Sequence, residues 1–171
     1  MRFRRFLLLL LVAATSLAWS PGAPVARAAP ARATVALWGL PLAGDLLVTR
    51  PFAPPPAPYA AGHRGVDLAG APGQPVLAAG AGVVAFAGLV AGRPVVSIEH
   101  PDGLRTTYEP VQSGVAAGQL VARGSPLGLL AAGHAGCPVE ACLHWGLRRG
   151  TIYLDPLSLL RPPRVRLLPW H

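Results

Sequence analysis

Lysine is absent from the 171 residues, and all fifteen basic side chains are arginine. That excludes every chemistry that needs an amine on a side chain: Schiff-base catalysis, the phosphate-cradling lysine of a P-loop, and lipoyl-type attachment of a prosthetic group to lysine. Cysteine is scarce, with only Cys137 and Cys142. Long apolar runs are missing after the first thirty residues, so no second membrane segment is expected. No extended stretch beyond that point carries a helical period, and the many glycines leave no room for one.

What is present begins with a leader. Arg2, Arg4 and Arg5 precede an apolar run from Phe6, and Ala26-Arg27-Ala28 supplies small residues at a cleavage position. Residues 1–28 are therefore expected to be a secretory signal peptide, with a retained anchor as the alternative. The run is shorter than the roughly 20 residues of a spanning helix, and Pro21 and Pro24 follow it. Export would place the chain in the extracytoplasmic envelope or outside the cell, where a cysteine pair is expected to form a disulfide. The mature chain keeps eleven arginines against seven acids, a formal charge of +4. That excess suits a polyanionic surface such as a cell wall; it contains no arginine cluster arguing for nucleic acid.

Residues 29–61 read as an N-terminal extension with a strand and a proline-rich loop, "PFAPPPAPYAAG" from Pro51 to Gly62. From Val66 the chain breaks into nine short apolar runs: "GVDLA", "QPVLAA", "GVVAFAGLV", "RPVVSIEH", "LRTTYE", "QLVAR", "SPLGLLAA", "CLHWGLRR" and "TIYL". Turn signals at "AGR" and "HPDG" separate them at hairpin intervals. The fold expected for 62–160 is all-β, a compact antiparallel sandwich or partly open barrel, followed by a tail, 161–171, laid on the sheet. "GQLVARGSPLG", Gly118 to Gly128, is similar to the hairpins of biotinyl and lipoyl carrier domains, but without lysine the carrier function is impossible.

Chemistry concentrates in "GHRGVDLAG" and "EACLHWGL". On an ideal strand His63 and Asp67 would lie roughly 13 Å apart, too far to share an ion. A loop histidine, a turn at Gly65 and an aspartate early on a strand would let both converge on one cation. A His and an Asp near a glycine turn also make ordinary hydrogen bonds, so the pair alone leaves both readings open. His144, arriving on another strand, would complete a His₂Asp set with one open position, a catalytic zinc arrangement.

On these residues the stretch 62–160 resembles the lysostaphin and LytM type of zinc metallopeptidase, whose members cut the peptides of peptidoglycan. The family's His-x-Gly-x-Asp stands as His63-Arg64-Gly65-Val66-Asp67, its glycine hairpin is similar to Gly118–Gly128, and its closing Asp-Pro is matched by Asp155-Pro156. The resemblance implies zinc held by His63, Asp67 and His144, and cell-wall peptides as partners. Two departures accompany it. The first histidine of the family's His-x-His is Cys142 here, and the histidine of its Tyr-x-His is Pro110, which transfers no proton.

His134, in the loop before Cys137, is the candidate replacement base. Glu109 is set aside because strand alternation turns it from the face of Pro110. His100 reads as a turn residue and His171 as a terminal one, while Trp145 and Phe86 read as core, Trp38 as core or rim, and Tyr108 as a possible groove lining. Cys142 has three readings: disulfide partner of Cys137, fourth zinc ligand closing a structural site, or free nucleophile. The functional expectation is an exported zinc endopeptidase, with a catalytically degenerate wall-binding or regulatory protein as the alternative.

Overall fold

A computed structural model describes residues 37–57 and 60–161. The leader, the start of the extension, and the tail with His171 lie outside the described residues. Among the described residues eleven strands form two antiparallel sheets, as the hairpin spacing predicts. They are β1 Val48–Arg50, β2 Gly65–Gly70, β3 Pro75–Leu77, β4 Gly82–Val90, β5 Arg93–Glu99, β6 Leu104–Glu109, β7 Val111–Ser113, β8 Leu120–Val121, β9 Pro126–Leu130, β10 Ala141–Arg149 and β11 Ile152–Leu154.

The larger sheet runs β1-β2-β10-β6-β5-β4-β8, with β11 also on β10, and the smaller runs β3-β9-β7. Their facing sides bury one core, with Leu68, Ile98, Leu143 and Trp145 from the large sheet meeting Val76, Val111, Leu127 and Leu130 from the small. All nine expected runs contain a strand. The stretch before them contributes β1, which pairs with β2 and so makes the extension an edge of the main sheet. Among the described residues no helix is long and apolar enough to cross a membrane.

Alternation along β6 and β10 determines the site. Leu104, Thr106 and Tyr108 point into the core, and so do Leu143, Trp145 and Leu147. Their neighbours Glu109, Thr107 and Arg105, and His144, Gly146 and Arg148, share the opposite face. Tyr108 is thus wholly buried rather than lining a groove, its hydroxyl accepting from Ala79 N–H at 3.0 Å. Burial raises its pKa to about 12, against the lowering effect of its bonds to Thr106 and Ala79.

Phe86 is exposed, contrary to the core reading. A register shift between Val84 and Phe86 inserts a bulge in β4, so Phe86 no longer shares the inward face of Val84. His100 is more than a turn residue: its ring is buried at 4 % exposure, edge-on to Trp38. Its Nδ1–H donates to Ala81 O at 2.8 Å, and its Nε2 lies 2.8 Å from Thr106 Oγ1. Burial, outweighing the Ala81 bond and nearby acids, holds its pKa below 6.5.

Candidate metal centre

His63 sits just before β2, in a bridge with Ala53 that folds the proline-rich stretch against the strand. Asp67 lies within β2, and His144 is directly opposite it on β10. The bend falls at Arg64, one residue before the expected turn at Gly65, which instead opens β2; it brings His63 back over Asp67, so the three side chains meet although they come from two segments about eighty residues apart. His63 Nε2, Asp67 Oδ1 and His144 Nδ1 lie within 4.8 Å of one another. The individual separations are 2.9 Å for His63–Asp67, 2.8 Å for His144–Asp67 and 3.1 Å for His63–His144.

The hydrogen bonding of His63 decides what those atoms offer. Its Nδ1 lies 2.7 Å from the carbonyl oxygen of Pro51, which only accepts, so Nδ1 carries the proton. In the neutral ring Nε2 then presents a lone pair toward the Asp67 carboxylate. Two such acceptors at 2.9 Å repel unless a cation or a proton lies between them. The donor set, two imidazole nitrogens and one carboxylate oxygen, suits zinc. Burial alone would push Asp67 up, but the His144 hydrogen bond and the electrostatic influence of the His63, His144 and His134 rings hold its carboxyl below the usual range. The carboxylate is therefore ionised and ready to ligate.

His134 reaches the same centre. Its Nε2 is 3.3 Å from Asp67 Oδ1, and its ring stacks on His144 with centroids 5.8 Å apart. Cys137 and Cys142 are disulfide-bonded, tying the His134 loop to the first residues of β10. This disposes of the other two readings of Cys142, since a bonded sulfur is neither thiolate ligand nor nucleophile.

Glu109 was set aside for facing away from Pro110, yet the face it occupies is that of the site. It is register partner to His144, which makes one row across three strands of Asp67, His144 and Glu109. Its carboxylate is paired with Arg93 at 2.9 Å. The signal was available in the alternation of "LRTTYE"; what the sequence withheld was which strand lies beside it. Gly65 and Gly146 are paired in the next row. A Cβ on Gly65 would lie 2.8 Å from the His144 ring and 2.4 Å from the Trp145 carbonyl, so only glycine fits beside the ligand.

Comparison with known proteins gives the same reading of the fold. The profile of peptidase family M23 matches residues 61–156. An uncharacterized protein of Mycobacterium tuberculosis is 53% identical over 146 residues, covering 83% of this chain and 59% of its own length. The chain thus spans less than two thirds of that curated relative. Among solved structures, Helicobacter pylori Csd3 superimposes with a TM-score of 0.61 at 26% identity, over 78% of this chain and 37% of Csd3. A zinc-containing peptidase from Vibrio cholerae gives 0.53 at 27%, over 63% and 35%. The catalytic domain of lysostaphin from Staphylococcus simulans gives 0.58 at 22%, over 67% and 92%, and shares the fold.

Proposed function

The chain belongs to peptidase family M23, and from that premise we propose that it is an exported, zinc-dependent endopeptidase acting on the peptides of peptidoglycan. The observation that carries the reading is the inward-facing lone pair of His63 Nε2, set by the Pro51 carbonyl, beside Asp67 Oδ1 and His144 Nδ1. His63, Asp67 and His144 hold the zinc. Bound there, zinc would polarise a scissile carbonyl and lower the pKa of a water toward about 7.

The chain's own residues do the rest. The Pro51 carbonyl fixes the tautomer of His63, and the Cys137–Cys142 bond keeps the His134 loop against β10. His134 Nε2, beside Asp67, is the group in reach to take or return a proton. Export follows from the leader, and wall peptides from the resemblance to lysostaphin-type enzymes.

A second reading, a wall-peptide-binding protein without turnover, is favoured by Pro110 and by Cys142, which is consumed in a disulfide. Release of new amines from purified peptidoglycan separates the two. The enzyme releases them when zinc-loaded and stops with a chelator or the Asp67→Ala substitution. Zinc-loaded protein that binds peptidoglycan but releases none establishes the second reading.

A further inference from the structure

The face that carries the metal centre continues along β10. His144, Gly146 and Arg148 alternate outward, and Arg148 lies roughly 13 Å from His144, four strand residues away. Between them Gly146 is paired with Gly65, whose missing Cβ makes room for the His144 ring. A groove of about 850 Å³ is lined by Pro54, Pro55, Pro56 and Tyr153 together with Arg64 and Arg148. Arg64 directly follows His63 in the chain, so the groove adjoins the metal centre through the backbone.

Of the described arginines three are ion-paired, while Arg64 and Arg148, like Arg50, Arg123 and Arg149, are not. Arg93, Arg105 and Arg161 pair with Glu109, Glu99 and Asp155. Among the described residues Arg64 and Arg148 have no carboxylate partner. Each is positioned by one carbonyl acceptor, Arg64 through Nη2 to Ala60 O at 3.2 Å and Arg148 through Nη1 to Gly150 O at 2.5 Å. Arg64 also lies over the Tyr153 ring, 5.4 Å from its centroid, and Tyr153 is the register partner of Arg148. Each guanidinium has five N–H donors and spends one, so donors remain for a ligand. Two guanidiniums in an apolar concavity recognise a carboxylate through charge-assisted, bidentate bonds.

We infer that Arg64 and Arg148 form a carboxylate-binding subsite, selecting extended peptides that carry a carboxylate about four residues from the bond presented to the metal centre. The span matches, since four extended residues cover roughly 13 Å. The inference rests on reading the centre as one that takes wall peptides, and it names the substrate class. The carboxylate has two sources, a free C-terminus or an acidic side chain.

Binding to the zinc-loaded full chain tests it, by fluorescence anisotropy of labelled peptides six residues long. Three peptides are compared: a free C-terminal acid with no acidic side chain, its C-terminal amide, and the amide with one internal glutamate. The expected result is that at least one carboxylate-bearing peptide binds about tenfold tighter than the neutral amide, and the stronger one identifies the source. Arg148→Gln and Arg64→Gln should each reduce that preference severalfold while zinc content and amide binding stay unchanged. Arg64→Lys should restore it only in part, because an ammonium keeps charge but not the fork. Equal binding of all three peptides, no binding of any of the three, or equal weakening of all peptides by the variants overturns the subsite. Amine release from peptidoglycan is scored separately, so a selective subsite on an inactive protein and an active protein without selectivity are distinct outcomes.

Discussion

At the scale of single residues, the metal centre is a problem of which atoms carry protons. The Pro51 carbonyl accepts a hydrogen bond from His63 Nδ1–H, which keeps the proton on Nδ1 and so directs a lone pair at Asp67. His134 stands 3.3 Å from the same carboxylate. If it is the proton-transfer group, His134→Ala should keep stoichiometric zinc while losing about 10² to 10⁴ in turnover, the usual cost of a missing acid or base. Zinc analysis beside the amine-release assay checks this, and loss of zinc would make His134 a ligand instead. Gly65→Ala tests packing at the same place. The added methyl meets the His144 ring at 2.8 Å and backbone oxygen at 2.4 Å. The expected outcome is zinc affinity lower by at least tenfold, measured by chelator competition. His63, Asp67, His144 and His134 were all legible as candidates in the sequence, because their residue types and glycine turns carry the chemistry. Arg64 and Arg148 were not, since an unpaired arginine is recognisable only once its neighbours are known.

At the scale of elements, β-strand alternation sorts side chains between core and site. Nine runs announced strands through apolar, β-branched residues bounded by turns, but β7 has only three residues and shows no period. The bulge in β4 exposes Phe86, which a strict period of two would bury beside Val84. The loop from β9 to β10 is held by Cys137–Cys142, a ring of six residues. On the chain-entropy account such a short closure contributes about 2 kcal/mol. Cys137→Ser with Cys142→Ser should therefore lower stability by about that amount in urea titration. It should reduce turnover more than zinc affinity, because the loop carries His134 while all three ligand residues lie outside it.

At the scale of the whole molecule, two linkages connect stability to solution conditions. Zinc that binds the folded chain alone stabilises it by about 2.7 kcal/mol at a free concentration one hundred times its dissociation constant. A chelator should lower the thermal midpoint of the wild type and leave that of Asp67→Ala unmoved. The second linkage is His100. Its folded pKa lies below 6.5 because it is buried, so on acidification the unfolded chain binds a proton before the folded one does. Its contribution is complete above pH 6.5 and is lost as pH falls from there toward the lowered folded value. Urea midpoints at pH 7.5 and 5.5, with chelator throughout to remove metal effects, should fall for the wild type and fall less for His100→Gln.

By itself the sequence determined the all-β class and the residue types able to hold a metal, and it offered the disulfide as one of three readings of Cys142, because periodicity, cysteine parity and ligand chemistry are properties of short stretches. Only the tertiary structure decided that β2, β10 and β6 lie side by side. That register sets Asp67 against His144 and His144 against Glu109, buries Tyr108, and carries the site's face on to Arg148. Strand neighbours in a sheet are chosen by packing and hydrogen bonding across the whole chain, and no local stretch encodes them.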